Sequence, residues 1–367
     1  MIVFASVANW NFDALVDEVR INRPEDQIVI FTIRNPFNLR RKHEKSRIFI
    51  PIFSSLVYFW HFIYSKFRRK ELYESNLFSL IFLVFDIELL LFLFFHQKKI
   101  NSVFAWASCV NITFKYNFSS DFVKFLYSGN SHILVQEKVQ RDFNGSTILR
   151  SFKKSAISGY ATCDYLIVES EYSKSTFVDA GISSEKVLIF HFRPSNTNFR
   201  KYRIDSEKIK VFFLGSRNLK GSRVISDLLE IACKNSLDKQ QFEFFIGGST
   251  ISSSVDVTNV PNMCQEDFFE FLSGMDMILL PTWEDGGPRL LSEAINLGLF
   301  CLGSEYSKVP EFHILGLSTV IMPNIAEYYF SELCNYRKTG FDNYEKIDEV
   351  FEKFKMANQK WITEKLP

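Results

Sequence analysis

The chain has 367 residues, 47% of them hydrophobic and 23% charged, which excludes whole-chain disorder and leaves room for two cores. Its net charge of +1 hides a split. Residues 1–200 carry 25 Lys and Arg against 18 Asp and Glu, residues 201–367 carry 18 against 24, and the basic part holds 26 of the 40 Phe.

From the N-terminus, Ile2–Val7 reads as a first buried strand. No basic stretch precedes its apolar run, so MIVFASVANW is not read as a signal peptide. A helix over Phe12–Val19 and a strand over Gln27–Thr32 follow. Two apolar runs come next. Ile48–Tyr64 spans 17 residues, with Arg40, Arg41, Lys42 and Lys45 before it and Lys66, Arg68, Arg69 and Lys70 after it. Leu77–Phe95 spans 19 residues, with Asp86 and Glu88 near its middle. A spanning helix needs about 20 apolar residues and tolerates a central Asp poorly. Three readings stay open: helices packed in or on an α/β domain, an interfacial segment on anionic lipid, or true spanning.

Further strands are expected at Ser102–Ala107, His132–Gln136, Asp164–Glu169 and Val187–Phe192. The polar stretch Arg193–Glu207 falls where the charge balance changes sign and reads as a linker. A second series of strands follows at Lys208–Gly215, Phe242–Gly247, Met275–Pro281 and Leu299–Gly303. Helices are expected at Ser222–Lys234, Gln265–Ser273 and Pro288–Leu297. This alternation argues for parallel sheets covered by helices. The six scattered Cys read as small buried residues in a reducing, cytoplasmic setting, and the six His form no metal-binding group.

The most informative stretch is Pro281-Thr-Trp-Glu-Asp-Gly-Gly-Pro-Arg-Leu-Leu-Ser-Glu-Ala-Ile-Asn-Leu-Gly298. It reads as the end of a strand, a loop with two glycines, then a helix opened by Pro288 and closed near Gly298. Open α/β sheets bind ligands at that end of their strands. Backbone N–H groups around Gly286 and Gly287 suit a phosphate at the helix start. Glu293, five residues into the helix, lies about 7–8 Å along its axis, where a carboxylate suits vicinal ribose hydroxyls. Asp285, eight residues before it, suits a sugar on the other phosphate, and Glu284 beside it is an alternative.

This stretch resembles the donor-site motif of the retaining GT-B glycosyltransferases of family 4, usually Glu-x7-Glu within EGFP…EAMACG. Here it reads Asp285-Gly-Gly-Pro288…Glu293-Ala294…Gly298. Gly298–Glu311 resembles the family's GTPVVASDVGGIPE, with Ser307-Lys308 in place of its glycine pair. Lys210–Gly221 resembles the opening of the C-terminal domain, and Asp164–Ser170 and Gly181–Lys186 resemble segments ahead of the linker. The likeness covers about residues 160–311.

The resemblance implies an α/β chain of GT-B architecture, with two Rossmann-like domains whose parallel sheets face across a cleft. Residues 1–192 would form the acceptor domain, with membrane-surface contact expected at 40–95, and 193–207 the linker. Residues 208–350 would form the nucleotide-sugar donor domain, and 351–367 a C-terminal helix crossing back to the first domain. It implies Arg217 and Lys220 as the cations that neutralise a leaving diphosphate, Asp285 (or Glu284) as the group orienting the donor sugar, and no metal or cofactor. Gly286, Gly287, Pro288 and Glu293 complete the donor site. Asn9, where family members have a Gly-rich loop, and Glu137, after an expected strand, are the acceptor candidates. The implied partners are a UDP- or GDP-linked sugar and a glycan or lipid-linked acceptor, in surface polysaccharide synthesis at the cytoplasmic face of a membrane. Nucleic acid is not expected, because the basic residues coincide with apolar runs. Two other readings stay open: a non-catalytic partner subunit on the same scaffold, and a nucleotide-sugar epimerase.

Overall fold

The computed structural model describes residues 1–6, 11–33, 46–59, 76–144, 148–195, 197–200, 208–215, 218–235, 241–248, 255–336 and 344–367. Asn9, Arg217 and most of the linker lie outside them. Thirteen described strands form two all-parallel sheets. The first contains β1 (Ile2–Ser6), β2 (Ile28–Thr32), β3 (Arg47–Phe49), β4 (Ser102–Trp106), β5 (Val123–Tyr127), β6 (Tyr165–Val168) and β7 (Val187–Ile189), in the order 3-2-1-4-5-6-7. The second contains β8 (Ile209–Leu214), β9 (Phe242–Gly247), β10 (Val257–Val260), β11 (Met277–Leu280), β12 (Phe300–Ser304) and β13 (Thr319–Met322), in the order 10-9-8-11-12-13. Each sheet starts at its centre, runs to one edge, then returns to build the other side. The reversal leaves a crevice at the carboxyl ends of β1 and β4, and another at those of β8 and β11.

The central strands are buried on both faces, as parallel strands covered by helices must be. In β1, Ile2 and Phe4 face one core while Val3 and Ala5 face the other, the alternation a strand imposes. The first core packs on the helix α1 (Asn11–Asn22) through Leu15, Val16 and Val19. The second packs on α2 (Asn76–His96) through Ile81, Phe85, Leu89 and Leu93. The abundance of Phe has a local cause here. Rings of Phe4, Phe104, Phe125 and Tyr165 stack across four adjacent strands, with centroids 4.7, 4.4 and 5.4 Å apart. That repeat is close to the strand spacing of about 4.8 Å, so equivalent positions place rings in contact.

The acidic residues inside α2 are explained by what they bind. Asp86 accepts the backbone N–H groups of Ile112 at 2.6 Å and Thr113 at 3.0 Å, and burial raises its pKa. Glu88 accepts those of Phe53 and Ser54 at 2.8 and 3.0 Å, at the start of a helical segment over 52–59. Both carboxylates satisfy orphan donors at the starts of helical turns.

One strand expectation is corrected. His132–Gln136 is not a strand but the start of the helix α3 (Ile133–Asn144). The neighbouring strand is β5, Val123–Tyr127, which is less continuously apolar. A run of three or four apolar residues has no period that separates strand from helix. Strands β3, β10 and β13 were also not expected; β10 exposes two of its four residues and β13 one.

The described ends of the linker are moored to different domains. Arg193 pairs with Glu18 at 3.0 Å, whereas Arg200 pairs with Asp348 at 2.7 Å and donates to the Asn296 carbonyl at 2.8 Å. After α4 (Arg150–Thr162), α5 (Glu171–Asp179), α6 (Ser222–Lys234), α7 (Gln265–Ser273), α8 (Arg289–Asn296), α9 (Val309–Ile314) and α10 (Ala326–Asn335), the last helix α11 spans Tyr344–Lys365. It starts seven residues before the expected boundary at 351. Its Ile347, Val350, Phe351 and Phe354 pack in the second domain, and its Trp361 and Ile362 pack with Ile2 and Phe4 of the first. Between these contacts the fully buried Asn358 accepts the His191 N–H at 3.0 Å and donates to the His191 carbonyl at 2.9 Å.

Candidate functional site

The loops after β8 and β11 meet at the crevice of the second sheet. Gly221, in the left-handed region at φ 82°, closes the first of these loops. A side chain there would overlap the Pro281 carbonyl at the end of β11, so the loops pack backbone to backbone. Leu219 then accepts the Trp283 N–H at 2.9 Å and the Thr282 hydroxyl at 3.1 Å. Thr282 is itself held by Ser304, whose hydroxyl reaches its carbonyl at 2.5 Å, and by Asn324 at 2.8 Å. This scaffold brings the Lys220 ammonium 2.5 Å from the Asp285 carboxylate. The pair is about one-third exposed on the Lys side, open to a ligand in the crevice.

Glu284 points elsewhere. Its carboxylate accepts the Ser131 N–H of the first domain at 3.0 Å, and burial raises its pKa. Gly286 and Gly287 also face the first domain. The Ser173 hydroxyl donates to the Gly286 carbonyl at 3.2 Å, and side chains at the two positions would overlap the Gly129 carbonyl and Glu169 respectively. The loop expected to present free N–H groups is therefore packed across the cleft. Trp283 stacks on Phe143 of the first domain, with centroids 4.1 Å apart and planes 21° apart.

Pro288 precedes α8, and Glu293 lies in its second turn. Burial pushes the Glu293 carboxyl up to about 7, although Arg289 pulls it down. Glu137 sits on α3, paired with Lys153 of α4 at 2.7 Å, rather than at the end of a strand. It was placed there by the misread strand. Among the described residues no three His, Cys, Asp or Glu side chains are grouped to hold a metal ion.

A second cluster, not foreseen from the sequence, lies beside the loop after β11. Glu169, at the carboxyl end of β6, accepts a hydrogen bond from the buried Tyr127 hydroxyl, and its other oxygen has no partner. Burial drives its pKa up to about 7 against the pull of Tyr127, Arg289 and Lys308. Lys308 is fully buried, with its Nζ 3.4 Å from His191 Nδ1 and 4.8 Å from the Phe354 ring centre. Burial lowers the Lys308 pKa against the pull of Glu311 and Glu169, and holds His191 neutral, at about 2. Glu311 accepts the Glu171 N–H at the start of α5, where a carboxylate also meets the positive end of the helix. The only sequence signal was Lys308 itself, a cation in place of a glycine.

The two carboxylates near 7 give stability a pH dependence. A carboxyl whose folded pKa is raised binds more protons folded than unfolded, so its contribution is lost as pH rises from about 4.5 through the folded value near 7. His191 acts in the opposite sense, but only below its ordinary value of about 6.5. Melting of the wild type between pH 6.5 and 8 should therefore show stability falling. Glu169→Gln should remove about 1 kcal/mol of that fall. An unchanged slope in Glu169→Gln would contradict the assignment.

Comparison with solved structures follows this geometry over nearly the whole chain. Sucrose-phosphate synthase from Thermosynechococcus elongatus superposes with a TM-score of 0.69 at 12% identity, over 99% of this chain and 98% of the other. HepE from Anabaena, solved in complex with UDP, gives 0.66 at 11% identity over 99% and 98%. The fold is GT-B. A UDP-N-acetylglucosamine 2-epimerase described as putative, from Listeria monocytogenes, gives 0.53 at 10% identity over 97% and 90%. No family model matches the sequence, and no curated protein matches it.

Proposed function

We propose that this protein is a glycosyltransferase that moves a sugar from a nucleotide-sugar donor to a glycan or lipid-linked acceptor, with retention of anomeric configuration, in surface polysaccharide synthesis. The observation that carries this reading is the Lys220–Asp285 pair at the β8–β11 crevice, with Glu293 on the helix that follows. A diphosphate in the crevice would take the Lys220 charge and release Asp285 to orient the donor sugar. Glu284 is engaged by Ser131, which favours Asp285 for that role. Arg217, three residues before Lys220, supplies a second cation in the same loop. Glu293 accepts the ribose hydroxyls. The main catalytic effect is stabilisation of the departing nucleoside diphosphate by these cations, and the cleft closed by the Glu284 and Gly286 contacts keeps water from the donor. No metal or cofactor is part of the proposal. HepE was solved with UDP and glucose, which supports a UDP-linked donor.

The epimerase-like neighbours support a second reading, with lower similarity. Proton NMR of UDP-linked sugars without acceptor separates the two. Slow release of UDP with the sugar first freed in the donor's own anomeric configuration is expected. Conversion of the donor into an epimeric nucleotide sugar would favour the second reading, and release of the opposite anomer would contradict retention.

A further inference from the structure

The first domain carries an apolar surface that the transfer reaction does not use. On α2, Leu80, Leu83, Ile87, Leu91 and Phe94 are 42–51% exposed, and their spacing of three or four residues places them on one stripe. The segment over 52–59 adds Ile52, Phe53, Leu56 and Phe59, which are 52–69% exposed. Glu88 of α2 holds the backbone of Phe53 and Ser54, so the two stripes adjoin. So large an apolar face on a soluble surface marks an interaction site.

Its rim is basic. Lys98 and Lys99 directly after α2, Lys115 in the turn that Asp86 caps, and Arg47 at the start of β3 are all exposed. The acidic residues of α2 itself, Asp86 and Glu88, are both turned to backbone N–H groups of the same domain. An apolar plate framed by cations matches the interface of an anionic bilayer, with fatty chains below and lipid phosphates around. A second copy of the chain would set one basic rim against another. By length and composition the helix over Ser79–Lys99 is apolar enough to cross a membrane. Its opposite face, however, is fully buried through Ile81, Phe85, Leu89 and Leu93, and Asp86 is tied to Ile112 and Thr113. Spanning would pull that face out of the domain core.

We propose that the exposed stripes of α2 and the 52–59 segment form an in-plane anchor that seats the first domain on an anionic membrane surface. The inference stands independently of the transfer reaction. The test is flotation of the full chain with vesicles of phosphatidylcholine alone or with about 30% phosphatidylglycerol. Binding to the anionic vesicles is expected to be at least about tenfold tighter and to weaken with salt. Leu83→Gln/Ile87→Gln/Leu91→Gln should lose at least about tenfold of it with unchanged melting. Lys98→Gln/Lys99→Gln, which leaves the apolar stripe intact, should lose about fivefold per cation. Release of bound protein by alkaline carbonate is also expected. The proposal is overturned by monomeric wild type that does not float. Dimerisation abolished by the triple variant, or resistance to carbonate, would overturn it as well.

Discussion

Lys220→Ala is expected to slow nucleoside diphosphate release from a nucleotide sugar by about 10²–10³-fold, the loss typical when a preorganised donor to a developing charge is removed. The Lys220 ammonium is carried by a loop whose backbone is bonded to the next loop at Leu219–Trp283 and packed closely against it at Gly221 and Pro281. Its charge therefore needs no reorganisation when the bond to the leaving diphosphate breaks. Its partner Asp285 is about one-fifth exposed, so removing the ammonium leaves a carboxylate that water still reaches. The loss should therefore appear in the rate rather than in folding. Lys220→Arg, which keeps the charge in a different geometry, should recover part of it. Single-turnover kinetics with saturating donor measure this, and an unchanged rate in Lys220→Ala would remove Lys220 from the mechanism.

The largest stability effect is expected at Gly221. Alanine there meets a left-handed backbone, worth about 1–2 kcal/mol. It also meets the carbonyl of Pro281, which belongs to the backbone at the end of β11 and has no rotamer to give. The combined loss should reach about 3 kcal/mol or more, in the range of severe backbone substitutions. Gly181→Ala provides the control. It has φ 91° and no atom within 4 Å of the added carbon, so it reports the backbone cost alone. Urea unfolding of both variants separates the two contributions. Equal losses would show that the close approach of the two loops carries no energy.

The parallel α/β organisation was legible because buried parallel strands are short continuous apolar runs, and most of the central strands are of that kind. Runs such as Met277–Leu280 and Val211–Leu214 announce themselves, and the loop with two glycines before a helix marks the crevice. Edge strands were not legible: β10 and β13 expose part of their surface and lose the pattern. The misreading at His132 has the same root. Its apolar side chains looked more strand-like than Val123–Tyr127, which includes Lys124.

Within the site, Asp285 and Glu293 could be picked out by their spacing in one strand–loop–helix unit, and Lys220, in the loop after β8, by the family resemblance. The Glu169, Lys308 and Glu311 cluster could not. It joins positions more than 130 residues apart in sequence, and nothing in either segment names the other. The two carboxylates in α2 were read as a cost against membrane insertion. In the fold they bind the backbone at the starts of two neighbouring helical turns, an arrangement hydropathy does not report.

The central claim is that the β8–β11 crevice binds a nucleotide sugar, and calorimetry tests it most directly. UDP-, GDP- and ADP-linked sugars are titrated into wild type, Glu293→Ala and Lys220→Ala. The account predicts that one nucleotide binds to wild type and that binding weakens at least about tenfold in each variant, through loss of a charged hydrogen-bond partner. Folded wild type that binds none of the three, with or without vesicles, would contradict it and leave the GT-B scaffold without its donor site.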